Sequence, residues 1–388
     1  MTSNDNPAAT DIFDAVVIGA GQAGLATGHH LRKAGQRFVI LDAADAPGGS
    51  WKHHYRSLRL FSPARYSSLP GMAFPGDPDR YPSRDETMAY LTQYAAEQQV
   101  PIQSGSRVNE VRRRAEGVFE VHEGGRVLLA RAVIAATGSF ERPRMPALPG
   151  QDDFRGTLLH SLAYQSPEAF TGQRVVVVGA ANSGVQIAAE LAGHARVSIA
   201  ARRPPSLLRQ RLLGIDVHAW WSAFGLDTAE VTTWRADIFK RLHSKTGPSV
   251  LDAGIYREAL ASGHPDIRPM LQQFTPEGVV WADGTAEPVD AVIFATGFLP
   301  NLDYLAPLDA FDRHGAPRQK RGISTAVPGL YYVGLSYQRT YASATLRGVG
   351  PDARVVVDHL AEHLRGQKPS AEEAAPVGPR IEPVQLPA

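Results

Sequence analysis

An α/β fold with two Rossmann-like dinucleotide-binding units is predicted by three features of this sequence. A strand–glycine-turn–helix pattern occurs twice, residues of opposite charge stand at a fixed distance behind the two copies, and two apolar runs each end in Thr-Gly. The first copy reads Asp14-Ala-Val-Val-Ile-Gly19-Ala-Gly21-Gln22-Ala-Gly24, and Asp42 ends the strand that follows. The second reads Arg174-Val-Val-Val-Val-Gly179-Ala-Ala181-Asn182-Ser183-Gly184, followed by Arg202-Arg203. In such a segment the glycine turn delivers a helix whose unpaired amides and positive dipole end suit a pyrophosphate. Ala181 departs from the middle glycine, placing a methyl group where the pyrophosphate comes closest.

The charge behind each motif selects the nucleotide. Asp42 lies 18 positions past Gly24, as Arg202 does past Gly184, so counting gives them equivalent places. A carboxylate there accepts hydrogen bonds from a ribose diol and repels a 2′-phosphate, whereas an arginine pair attracts that phosphate. The first unit accordingly reads as an FAD site, completed by Gly49, Ser50, Trp51, Val108, Thr137 and Gly138. The second reads as an NADPH site, completed by Thr296 and Gly297.

Chain organisation follows from the returning strands. The runs Ala130 to Gly138 and Asp290 to Gly297 each close one unit. This assigns 1–150 and 291–366 to a discontinuous FAD domain, 151–290 to an inserted NADPH domain, and 367–388 to a Pro/Ala/Glu-rich tail expected to be disordered. The crossings Arg142 to Gly150 and Thr296 to Asn301 contain prolines and are expected to act as a hinge. Leu330 to Gly334 reads as a further strand of the first sheet, leading through Gly348-Val-Gly350-Pro-Asp352 to an amphipathic helix from Ala353 to Leu364. A helix start introduced by glycines, with Gly350 at the cofactor, suits the pyrimidine edge of a flavin; an ordinary cap by Asp352 is the alternative.

Composition narrows the class. The 388 residues, 43% hydrophobic and 20% charged, suffice for two cores. A net charge of +1 offers no electrostatic case for nucleic acid or an anionic membrane. With no cysteine there is no disulfide, no thiolate metal site and no redox-active Cys-x-x-C, and no His/Asp/Glu set has metal-ligand spacing; His53-His54 reads as a surface pair. The first residues lack a basic and apolar leader and no apolar run is long enough to span a bilayer, so a cytoplasmic location is expected, with a homodimer left open. The aromatics Trp220, Trp221, Phe224 and Trp234 read either as the core of the 204–269 segment or as an access route to the cofactor. Arg339, Thr340 and Tyr341 are further candidates for the substrate side.

Between the two motifs lies Phe154-x-Gly156-x-x-x-His160-x-x-x-Tyr164, accompanied by Gly48-Gly49-Ser50-Trp51, Asn182-Ser183-Gly184 and Ala295-Thr296-Gly297-Phe298. Over residues 12 to 365 the chain thereby resembles the class B flavin-dependent monooxygenases, whose architecture is that of the pyridine nucleotide-disulfide reductases. The stretch Ser57 to Pro63 with Leu69-Pro70 is most similar to compact bacterial members and the plant auxin-forming type. The resemblance implies a cycle in which NADPH reduces FAD, O2 forms a flavin C4a-hydroperoxide, and a small molecule is oxygenated. Tyr164, where the ketone-oxidising branch carries Trp, points to a soft nitrogen or sulfur. It also implies four catalytic candidates: Phe61 and Ser62 by the reacting carbon, and His160 and Tyr164 coupling domain position to cofactor binding, with a linker histidine bonded to backbone groups as the alternative for His160. Phe61 replaces an amide common in larger members, which leaves peroxide stabilisation to NADP, backbone donors or the Ser62 hydroxyl and opens a leak to hydrogen peroxide. The alternatives are an NADPH oxidase or flavin reductase, Baeyer–Villiger oxygenation, and a redox-sensing flavoprotein that binds a partner.

Overall fold

The computed structural model describes residues 12–237 and 249–366; the expectation for the tail lies outside them. The strand Ile12–Ile18 (β1) is the centre of the first sheet, running parallel to Phe38–Leu41 (β2) on one side and to Arg126–Ala135 on the other. Leu330–Tyr332 extends the sheet beyond Arg126–Ala135, and Ile102–Gln103 extends it beyond β2. Because side chains alternate along a strand, β1 feeds two cores. Ala15 and Val17 pack with Leu25, Leu31, Val349 and Val356, while Val16 and Ile18 pack with Phe119, Leu305 and Tyr332.

The C-terminal helix spans Leu346–Gly366 and so begins seven residues before the expected Ala353. Gly348 and Gly350 sit inside its first turns rather than ahead of it. A Cβ on Gly348 would lie 1.8 Å from the Ala342 carbonyl oxygen, and one on Gly350 would lie 3.0 Å from Pro70. The glycines thus serve close packing. Pro351 stands at the sixth helical position, past the first turn, and has no amide to donate to the Arg347 carbonyl.

The helix Gln22–Lys33 (α1) is tied to this last helix by His30, whose Nε2 lies 3.1 Å from the Gly350 carbonyl oxygen. Burial, helped by neighbouring His29, pushes the His30 pKa down from 6.5 to about 4. The unfolded chain therefore takes up a proton that the folded chain refuses, and stability falls as pH drops from about 6.5 towards 4. The expected contribution is about 1–3 kcal/mol, and His30→Gln should flatten this part of a plot of urea midpoint against pH. An unchanged slope in that variant would show that His30 does not carry the acid sensitivity.

The second sheet is parallel throughout, in the order Asp266–Pro269, Arg196–Ala201, Arg174–Val178, Ala291–Phe294, Thr157–His160. Ala291–Phe294 pairs with Val175 to Val178, so the expected domain boundary at 290/291 moves: the chain rejoins the first unit only after Gly297. The two crossings expected to form a hinge pair as an antiparallel ribbon, Pro143 opposite Phe298 and Arg142 opposite Leu299. On the helix Val217–Phe224, Trp220 stacks on Phe224; Phe224 and Trp234 are exposed.

Candidate active site between the two nucleotide units

Two helix N-termini face one cavity of about 1190 Å³, and both are left open. Gly21 caps α1 and Ala181 caps the helix Asn182–Leu191, each with extended backbone (φ −74 and −89), no side-chain cap and no acidic residue in the first turn. The helix Arg84–Glu97 shows the contrast, closed by a Ser83–Glu86 capping box. Unpaired amides at two N-termini, uncapped by their own sequence, are what a pair of anionic pyrophosphates requires.

The glycines divide by role. Gly19 (φ +106) and Gly179 (φ +122) make the turns, and a Cβ there would lie 2.7 Å from the Ala136 oxygen and 2.4 Å from the Ala295 oxygen. Gly24 and Gly184 allow helix and turn to touch, at 1.8 and 2.1 Å from the preceding turn oxygens for an added Cβ. Gly21 alone of the first three faces open space, where a Cβ would meet only the Cα of Gly49 at 3.7 Å.

Of the residues singled out by sequence, the structure brings Gly19, Gly21, Gln22, Asp42, Gly49, Ser50, Trp51, Phe61, Ser62, Val108, Thr137, Gly138, Asn182, Ser183 and Gly297 to the cavity wall. Gln22 joins three segments, donating to the Ala344 oxygen at 2.8 Å and accepting from Trp51 Nε1 at 3.3 Å. Asp42 accepts from the amides of Ala20 and, at 2.7 Å, Ala44, which fixes its carboxylate at the edge of the first helix. The threonines of the Thr-Gly turns hold the crossings: Thr137 Oγ1 donates to the Asn301 oxygen at 2.6 Å and Thr296 Oγ1 to the Arg144 oxygen.

Gly24, Gly179, Gly184, Arg202, Arg203, Thr296, Gly350, His160 and Tyr164 do not line the cavity, nor do the four aromatics of the 204–269 segment. Gly350 lies within the last helix for the packing reason given above; Thr345 and Leu346 bring the helix start to the wall instead. His160 is buried, with Nε2 donating to the Gly297 oxygen at 3.0 Å and Nδ1 accepting from the Leu162 amide at 3.1 Å. Burial lowers its pKa, so both ring nitrogens are engaged on a neutral ring. Tyr164, 1% exposed, donates to Glu190 at 2.9 Å on the second helix, and burial raises its pKa.

Counting overstated one equivalence. Gly19 donates to the Leu41 oxygen and Gly179 to the Ala200 oxygen, so Asp42 corresponds in register to Ala201, and Arg202 stands one residue further on. The second unit has no carboxylate at the ribose position, only a methyl group followed by two exposed arginines. Ser62 is also more committed than expected: its Oγ shares a hydrogen bond with Ser67 Oγ at 2.9 Å, and Ser67 Oγ lies 3.0 Å from the Pro63 oxygen.

Sequence reading missed His54 and Tyr337. His54 is not a surface residue: it lines the cavity, half-buried between Trp51, Phe140 and Phe298. Tyr337, in left-handed backbone (φ 58), packs edge-on against Tyr341 at 5.3 Å, and both line the cavity; Arg339 and Thr340 between them do not. Arg339 is instead paired with Asp352 at 2.7 Å. The adjacent histidines were visible in sequence, but the partial burial of His54 beside an exposed His53 was not.

The paired nucleotide units around one cavity define an oxidoreductase that joins two dinucleotides. A family model for pyridine nucleotide-disulphide oxidoreductases matches residues 16–222. A CzcO-like oxidoreductase of Geobacillus kaustophilus is 32% identical over 91% of this chain and 99% of its own length. An indole-3-pyruvate monooxygenase of rice (Oryza sativa subsp. japonica) is 32% identical over 83% of this chain and 86% of its own. The solved flavin-containing monooxygenase of Stenotrophomonas maltophilia superposes with a TM-score of 0.79 at 36% identity, covering 92% of this chain and all of that one. The chain belongs to the pyridine nucleotide-disulphide oxidoreductase family and, within it, to the class B flavin-dependent monooxygenases. Among the described residues no helix is long and apolar enough to cross a membrane, and no His/Cys/Asp/Glu group is arranged to hold a metal.

Proposed function

We propose that this protein uses NADPH and FAD to oxygenate a small molecule at a soft nitrogen or sulfur. One observation carries the cofactor assignment: two uncapped helix N-termini face one cavity, with Asp42 behind the first and Arg202-Arg203 behind the second. When bound, the flavin would supply the redox chemistry, hydride acceptance from NADPH and activation of O2. The chain's own residues bind and position. Gly21 and Gly49 open a strip for the pyrophosphate, Gln22 locks Trp51 to the loop before the last helix, and Asp42 receives the ribose. His160 and Tyr164 are positioning residues, the first holding the Gly297 turn and the second fastening the linker to the helix that carries Asn182. Phe61 would offer the flavin an apolar ring, and the Ser62 hydroxyl is shared with Ser67 Oγ rather than aimed freely into the cavity.

A second reading, oxygenation of a carbonyl substrate, is favoured by the relatives named for indole-3-pyruvate. Product analysis under isotopically labelled O2 with NADPH and an amine, a sulfide, a 2-oxo acid and a cyclic ketone separates the two. Label in the amine or sulfide product is expected. Label only in the products of the carbonyl compounds would select the second reading, and hydrogen peroxide equal to NADPH consumed, with every substrate unlabelled, would make the protein an oxidase.

A further inference from the structure

His54 is the polar side chain whose position the function above does not use. Its main chain is held at both ends, the amide donating to the Trp51 oxygen at 3.2 Å and the carbonyl accepting from Arg84 at 2.6 Å. This short segment follows Gly48 and Gly49, both with positive φ, which turn the chain back over the cavity. The ring is caged by Trp51 at 5.9 Å, Phe140 at 6.3 Å and Phe298 at 6.4 Å. Phe140 follows the Thr-Gly turn of the first unit and Phe298 that of the second, so His54 stands at the boundary between the units.

His160, which also packs edge-on against Phe298 at 4.9 Å, gives the contrast. His160 has both nitrogens bonded to backbone, whereas the His54 ring makes no hydrogen bond to protein among the described residues and lines the cavity. Burial among aromatics, with His53 and Arg84 as the charged neighbours, pushes the His54 pKa down to about 4. The ring is therefore neutral at ordinary pH, with one donor and one acceptor, and suits an amide-like group that presents both. A dinucleotide whose pyrophosphate rests on Asn182 and Ser183 must send its far half across this boundary to meet a flavin held by the first unit.

We propose that His54 is a specificity residue for the nicotinamide half of the coenzyme, contacting its carboxamide by hydrogen bond. This rests on the NADPH reading above. The test is titration of the FAD-loaded protein with NADP+ and with 2′,5′-ADP, which keeps the phosphate and lacks the nicotinamide. His54→Phe should weaken NADP+ about tenfold, the loss of one hydrogen bond, and leave 2′,5′-ADP within about twofold. His54→Gln should recover most of the loss. Unchanged NADP+ affinity, or equal weakening of both probes, would overturn the proposal. Wild-type protein that binds neither probe would instead remove the NADPH reading, and this inference with it. If His54→Phe loses flavin, His54→Gln against His54→Leu at full FAD occupancy decides the question by the same two titrations.

Discussion

Gly21→Val is expected to give a folded protein without FAD. Gly21 has ordinary extended backbone, and an added Cβ would lie 3.7 Å from its only near neighbour, the Cα of Gly49, so the protein itself tolerates a side chain there. The side chain would occupy the strip through which a pyrophosphate reaches the amides of α1. Two or three charge-assisted hydrogen bonds, at about 1.5–3 kcal/mol each, would be lost, so affinity should fall by roughly a thousandfold or more. The flavin-to-protein ratio after purification and the far-ultraviolet circular dichroism together check this: flavin gone, secondary structure kept. Gly24→Ala is the control, since its methyl group would sit 1.8 Å from the Gly19 oxygen and should cost fold and flavin together. Full flavin in the Gly21 variant would mean that the first unit does not hold its cofactor at this turn.

Arg202→Ala is expected to raise the NADPH concentration needed for half-maximal flavin reduction by roughly ten- to a hundredfold, with NADH nearly unaffected. The structure sharpens the reason. The register makes Ala201, not Arg202, the equivalent of Asp42, so no carboxylate is present to repel a 2′-phosphate, and both exposed guanidinium groups follow directly at the strand end. Arg203→Ala should show a smaller loss in the same direction if the two share the phosphate. Stopped-flow reduction of the flavin with each coenzyme measures both variants; equal losses with NADPH and NADH would show that neither arginine reads the phosphate.

Much of this architecture was legible because local rules sufficed. A run such as Arg174-Val-Val-Val-Val before a glycine turn leaves little choice but a buried parallel strand and an uncapped helix start, and both copies fold that way. The Thr-Gly runs were equally local: each ends a strand, and each threonine ties down a crossing. Less was legible where a residue's role depends on what packs against it. Gly348 and Gly350 look like turn residues but serve helix packing against Ala342 and Pro70, which only the tertiary contact reveals.

By itself, then, the sequence determined the two strand–turn–helix units and their order along the chain, because strand, turn and helix N-terminus are set by neighbours in the chain. The tertiary structure alone decided which residues share the cavity. It placed Ala291–Phe294 in the second sheet, moved Arg202 one step out of register with Asp42, withdrew His160 and Tyr164 into hydrogen bonds at the linker, and turned His54 inward. Each of these outcomes depends on segments distant in the chain coming into contact, as His54 does between Phe140 and Phe298. Burial and hydrogen-bond partners are properties of that contact, and no pattern along the chain encodes them locally.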